Sequence, residues 1–228
     1  MVDILVSSYP LFLKAAWLTL QLTAVALVLG CIVGLIIAFF RISSSKPLNY
    51  FAHTYITVIR GTPLIVQIAI LYFGIANLIT LSNFWAGALA LAVHNGAYIA
   101  EIFRGAIQSI DRGQMEASRS LGMSYPLAMR RIVLPQAFRR AIPALGNQFI
   151  IGLKDSSLVA YVGMQDLWGT ALSEAASNYR QLDTYMVVGL YYLILIMIFT
   201  YFVNRLEGKL SNGKKTKKQT ANDNSVSA

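Results

Sequence analysis

The sequence predicts an all-α membrane protein with five transmembrane helices, its N-terminus outside and its C-terminus in the cytoplasm. Three observations predict it. Of 228 residues, 56% are hydrophobic and only 13% are charged, with a mean hydropathy of +0.57. A soluble domain normally carries roughly 25% charge. Long stretches contain no charged residue at all, and the basic residues that do occur collect on alternate loops. This composition excludes a disordered chain, a collagen-like repeat and an ordinary cytosolic enzyme.

A membrane-crossing helix needs about 20 mostly apolar residues. Ala15 to Phe40, lying between Lys14 and Arg41 without a charge, is the first span. Gly61 to Ala100 is again uncharged and about twice the required length, so it must fold back once. The polar run Asn77 to Asn83 is the expected turn, giving a second span near Tyr50–Leu78 and a third near Phe84–Phe103. The fourth apolar stretch, Ala137 to Tyr161, is interrupted by Lys154 and Asp155, and the fifth, Thr184 to Asn204, lies between Asp183 and Arg205. Pro63, just after Gly61, is expected to kink or break the second span. Gly30 and Gly34 permit close helix packing, and Trp85 and Tyr161 are expected at the outer interface. The apolar run after Lys14 is far longer than a secretory signal core and has no cleavage site after it, so this span is expected to be retained.

Orientation follows from the basic residues. Nineteen Lys and Arg against ten acids leave a net charge of +9. Arg41 and Lys46 follow the first span; Arg104, Arg112, Arg119, Arg130, Arg131, Arg139 and Arg140 lie around the third-to-fourth connection. More follow the fifth span. The intervening loops hold none, or Arg180 opposed by Asp166, Glu174 and Asp183. Basic loops face the cytoplasm, so the charge does not imply a nucleic-acid partner. The chain divides into an outer N-terminal segment (1–14), a transmembrane domain (15–210) and a tail (211–228) expected to be disordered, because it is polar and without apolar periodicity. The tail serves as a topology signal, with binding to anionic lipid as the alternative.

Several patterns carry no chemistry. Cys31 is alone, and His53 and His94 lack partners at ligand spacing, so no metal site is expected. Gly208 to Lys214 reads G-x-x-x-x-G-K, but Lys215 stands where a phosphate loop needs Ser or Thr, and no strand precedes it. No nucleotide or other cofactor is expected on this chain, and no Ser, Cys, His or carboxylate arrangement has catalytic spacing.

The segment between the third and fourth spans reads as a short helix (Gln114–Leu121), a break at Gly122 and a second short helix capped by Ser124, with Pro126 in its first turn and Pro135 interrupting before the membrane is re-entered. Its residues carry a resemblance. Glu116-Ala117-Ser118, then Gly122 after three intervening residues and Ile132-Val133-Leu134-Pro135 after nine more, resemble the EAA loop of the membrane subunits of ABC importers, with Ser118 replacing the usual second Ala. Arg60-Gly61-Thr62-Pro63-Leu64, Asn95-Gly96-Ala97-Tyr98 with Glu101 and Arg104-Gly105, and Lys154-Asp155-Ser156-Ser157-Leu158 are similar to the polar amino-acid permease branch, the histidine, glutamine, arginine and cystine type.

The resemblance implies a type I (MetI-like) importer fold. It implies an EAA loop at about 112–136 in which Glu116, Ala117, Ser118, Gly122, Ile132, Leu134 and Pro135 couple to two cytoplasmic ATPase subunits. Those subunits, not this chain, use ATP and Mg. It further implies an extracytoplasmic substrate-binding protein and a homodimer, or a heterodimer with a similar permease. A basic helix lying on anionic lipid is the plainer reading of the loop.

Charges and polar groups inside spans mark candidate substrate contacts: Lys154, Asp155, Ser156, Glu101, Asn95, Gln67 and Thr62. Lys154 and Asp155 sit roughly 24 Å from the start of their span and either complement an amino acid's two charges or lock helices together. Glu101 either meets substrate or pairs with Arg104; Gln67, Asn95 and Asn147 either meet substrate or bond helix to helix. The function read from this is translocation of a polar amino acid. An ion-driven secondary transporter, which usually carries internal repeats absent here, and a non-transporting membrane scaffold are the alternatives.

Overall fold

A computed structural model describes residues 2–76 and 78–210. Asn77, the first residue of the expected turn, and the Lys-rich tail lie outside the described residues. Among those described, regular structure is entirely helical. Two helices open the chain, α1 (Val2–Ser7) and α2 (Tyr9–Ile42), followed by α3 (Lys46–Gly61), α4 (Leu64–Gly74) and α5 (Asn83–Gln108). Then come α6 (Arg112–Ser120), α7 (Tyr125–Ala128), a π-helical turn (Met129–Val133), α8 (Leu134–Asp155) and a 3₁₀ segment (Ser156–Val162). The chain continues through α9 (Leu167–Asn178) into α10 (Gln181–Leu210).

By length and composition, α2, α5 and α10 can each cross a membrane, and α3 with α4 qualifies as one broken span. α10 shows the surface such a helix needs: Leu190, Leu193, Ile194, Met197, Ile198 and Phe202 are all exposed. α5 is the opposite, buried along most of its length. Leu22 and Ala26 of α2 pack with Leu91 of α5, and farther along the two backbones come close at Gly34, where a Cβ would lie 2.6 Å from Ile99 Cγ2. The opening turns of α2, through Phe12, Ala15 and Ala16, instead pack on Ala171 of α9 and on Val187 and Val188 of α10.

The second span is not one helix. α3 and α4 meet at 104° across Thr62 and Pro63. The physical reason is local: Pro63 has no N–H and disfavours a helical residue before it, and Thr62 is accordingly extended (φ −119°, ψ 145°). Both halves still lie beside α2 and α5. Ala52 and Ile56 of α3 pack against Ile37 and Ala100, while Leu64 and Ile68 of α4 pack against Leu22, Ala26 and Leu91.

Two further expectations are corrected. Pro135 does not interrupt the chain: Tyr125 to Asp155 is helical without a gap. The π turn just ahead of Pro135 shifts the hydrogen-bond register of the continuous helix, which accommodates the proline ring and its missing N–H. Ser124 occupies the N-cap position of α7 in an extended conformation, but its side chain makes no capping hydrogen bond. In the fourth apolar stretch the α-helix ends at Asp155, and the chain tightens into a 3₁₀ segment closed by Gly163 in the left-handed region (φ 82°).

Candidate functional site: a loop at one end of the bundle and a polar cleft at the broken helix

The loop is built from α6. Asp111 caps it, its carboxylate accepting from the Gly113 N–H at 2.7 Å. Its end is a Schellman turn: Gly122 takes φ 82°, its N–H donates to the Arg119 carbonyl at 3.0 Å, and the Met123 N–H donates to the Ser118 carbonyl at 3.1 Å. Glu116 and Ala117 face outward. Ser118 faces inward, 5% exposed, and its hydroxyl donates to the Gln114 carbonyl at 2.6 Å. A residue no larger than Ala or Ser suits that buried place. Leu121 stands 84% exposed beside the turn, and Tyr125 is also exposed; the sequence reading passed over both because an apolar residue in a polar loop looks like core.

The loop is fastened to the bundle. Met115 and Leu134 pack with Phe103, Ile107 and Val133. Ile132 is half-buried, and its carbonyl accepts from the Gln136 amide at 2.8 Å, which also reaches Gln114 at 3.4 Å. Arg140 on α8 donates to the Ser109 carbonyl and, at 2.9 Å, to its hydroxyl, fixing the end of α5. Pro135 is exposed.

The second feature surrounds the break at Thr62–Pro63. A broken helix strands carbonyls, which are costly in an apolar layer. Gln67 covers them: its amide nitrogen donates to the Ile59 carbonyl at 2.8 Å, the Thr62 carbonyl at 3.1 Å and the Thr62 hydroxyl at 2.8 Å. The Gln67 carbonyl lies 3.1 Å from Nδ1 of His94 on α5. His94 neighbours Tyr98, and the Arg60 guanidinium sits 5.0 Å from the Tyr98 ring centre. Arg41, His53, Thr57, Arg60, Tyr98 and Glu101 line an open cleft beside this cluster. Glu101 is committed to Arg104 at 2.6 Å, which also donates to Gln108 at 2.7 Å. Arg60 has no carboxylate partner among the described residues.

Of the residues expected to contact substrate, Thr62 and Gln67 thus meet directly, and Glu101 lines the cleft beside them. Asn95 is turned elsewhere: 1% exposed, it accepts from the Gln148 amide on α8 at 2.9 Å. Lys154 is exposed and Asp155 half-exposed, and among the described residues no ion pair joins them. Ser156 is fully buried, its hydroxyl donating to the Leu153 carbonyl at 2.8 Å.

Asp166 is a site the sequence reading missed, although Asp ahead of a helical run is a familiar capping signal. It is 0% exposed, accepts from the Gly169 N–H at 3.0 Å and the Tyr192 hydroxyl at 3.4 Å, and its neighbour Leu167 donates its N–H to Thr19 at 3.0 Å. Burial pushes the Asp166 carboxyl up to about 6, against the opposing pull of those donors. Among the described residues no group of His, Cys, Asp and Glu is arranged to hold a metal ion.

Residues 26–211 match the family described as the binding-protein-dependent transport system inner membrane component. The chain is 36% identical to the arginine transport system permease protein ArtQ of Bacillus subtilis (strain 168), over 89% of this chain and 94% of that protein. It is 37% identical to the glutamine transport system permease protein GlnP of Escherichia coli (strain K12), over 88% and 93%. A crystal structure of an amino acid ABC transporter with histidines superposes with a TM-score of 0.83 at 40% identity, over 90% of this chain and 96% of that one. The inward-facing MetNI methionine ABC transporter shares the fold, with a TM-score of 0.75 at 20% identity over 88% and 96%. Family match, identity over nearly the full length and shared fold agree: the chain belongs to the family of binding-protein-dependent transport system inner membrane components.

Proposed function

We infer that this chain is the permease subunit of an ATP-driven importer that moves a polar amino acid across the cell membrane. Membership of the family and the names of relatives supporting arginine and glutamine transport favour it over an ion-driven carrier or a scaffold. The observation that carries the mechanism is the cleft at the broken helix. Arg60 and Glu101 sit on helices whose other faces are apolar, and charged groups at membrane depth face water or protein rather than lipid. One bundle leaves this cleft open, so a second permease, identical or similar, completes the path. Thr62, Gln67, Arg60 and Glu101 line the substrate's way, with Lys154 and Asp155 farther along.

The loop supplies the drive. Glu116 and Ala117 dock on a cytoplasmic ATPase, one per permease, which holds the ATP and Mg. The substrate arrives on an extracytoplasmic binding protein. Because Gln136 and the packed Met115 fasten α6 to α8 and α5, and Arg140 ties the end of α5 to α8, a displacement of the loop moves the spans instead of being absorbed in slack chain. ATP binding closes the ATPases, and the bundles exchange inward for outward access.

The test is amino-acid uptake into vesicles holding the purified complex. Uptake is expected to require ATP and the ATPase subunit, and Glu116→Lys or Gly122→Val is expected to abolish it while ATP hydrolysis continues. Uptake driven by an ion gradient with the ATPase absent would overturn this reading.

A further inference from the structure

Adjoining the cleft at the broken helix is a second one, between the end of α2 and the start of α3, lined by Arg41, Ser43, Ser44, Lys46, Asn49, Tyr50 and His53. Its chemistry differs from its neighbour's. No carboxylate lines it, and every side chain in it can donate a hydrogen bond. The Arg41 guanidinium is half-buried and aimed by a reciprocal clamp: it donates to the Asn49 side-chain carbonyl at 2.8 Å, and the Asn49 amide donates back to the Arg41 main-chain carbonyl at 2.6 Å. Among the described residues Arg41 and Lys46 form no ion pair. Two cations outside any ion pair, with hydroxyl, amide and imidazole donors beside them, make a receptor for a phosphate-type anion.

Location selects the source of the phosphate. Arg41 stands in the last turn of α2, a helix long and apolar enough to cross a membrane, which puts the cleft at the depth where headgroups begin. On the flank of the cleft α3 exposes Leu48, Tyr50 and Phe51, at 39%, 73% and 56%, large apolar groups against which acyl chains can lie. Basic pockets between helices at this depth suit anionic headgroups. We propose that the α2–α3 cleft is a binding site for the phosphate of an anionic phospholipid, with Arg41 and Lys46 as its cations and Asn49 as the residue that positions Arg41. The site is separate from the coupling loop and does not depend on which solute is carried.

The test uses the full-length permease, purified in the complex in which it is expressed, delipidated in detergent and titrated with phosphatidylglycerol or phosphatidylcholine, bound lipid being read by native mass spectrometry. Phosphatidylglycerol is expected to bind tighter by about tenfold or more. Arg41→Gln with Lys46→Gln removes that preference, and Lys209→Gln, an exposed cation elsewhere, leaves it intact. Lys46→Gln alone, on the exposed surface and safe for folding, is expected to show part of the loss. Equal binding of the two lipids by the unaltered protein would overturn the proposal, as would an equal loss in Lys209→Gln. So would full displacement of phosphatidylglycerol by millimolar inorganic pyrophosphate, which would mark a soluble phosphate compound as the occupant.

Discussion

Gln148 on α8 donates its side-chain amide to the Asn95 carbonyl on α5 at 2.9 Å, and both residues are almost fully buried, at 5% and 1% exposure. This polar bond crosses the packed centre of the bundle between the two helices that flank the loop. Replacing Asn95 with Leu strands the Gln148 amide in an apolar setting, at a cost of about 1–3 kcal/mol. The Asn95→Leu, Gln148→Leu pair removes both polar groups and is expected to recover part of it. Thermal unfolding of the four proteins in one detergent completes the cycle; full additivity of the two single changes would show that the bond contributes nothing of its own.

Gly34 makes a sharper prediction about the α2–α5 contact. A Cβ there would lie 2.6 Å from Ile99 Cγ2 and 3.0 Å from the Ala100 nitrogen. Gly34→Ala is expected to destabilise by about 1–3 kcal/mol through overpacking. Ile99→Ala in the same chain frees one neighbour but not the backbone, so rescue should be partial. A melting temperature equal to that of the unaltered protein would show that the helices part at no cost.

For Asp166 the prediction is a pH dependence. Its carboxyl titrates near 6 in the folded protein, against an ordinary value of 3.8. An acid with a raised folded value holds more protons folded than unfolded between these limits, so stability falls as pH rises from about 4 to about 6 and is level above. The size is on the order of 3 kcal/mol. Asp166→Asn keeps an oxygen to accept from Gly169 and should flatten this part of the profile. A profile unchanged by the substitution would assign the titration elsewhere.

Arg140 tests the loop as a lever. Its bonds to Ser109 join α8 to the end of α5, at an exposed place where losing a charged donor costs little stability. Arg140→Ala is therefore expected to shift the melting temperature by only a few degrees while lowering amino acids moved per ATP hydrolysed. An unchanged ratio would show that Met115 and Gln136 hold the loop without it.

Much of this was legible in the sequence, and the limits have physical causes. The spans follow from uninterrupted apolar runs, which is why α2, α5 and α10 match their expected positions. Gly122 was readable because a helix end needs a residue that tolerates positive φ. Pro63 announced a break, but not its 104° angle, which depends on packing of both halves against α2 and α5. Gln67 was readable as a polar group in a span; that it covers Ile59 and Thr62 and meets His94 depends on side-chain reach across helices. Gln148 was overlooked because it shares its helix with Arg139, Arg140 and Asn147, where one more polar residue draws no notice. Pro135 misled because proline usually stops a helix, and the remedy, a wider turn ahead of it, leaves no mark in composition.

That wider turn sets an angle. Each residue of an α-helix advances the direction of the side chain by about 100°, and a π turn accommodates one residue more than an α turn would. Met129–Val133 therefore acts as a phase shifter between the loop and α8. Remove a single residue there and every side chain beyond it turns by about a quarter of a circle relative to Glu116: Ala137, Ala141 and Gly152 leave the face now packed inward, and Gln148 no longer points at Asn95. The loop and the span behind it are thus set to one another like two gears meshed at a single tooth.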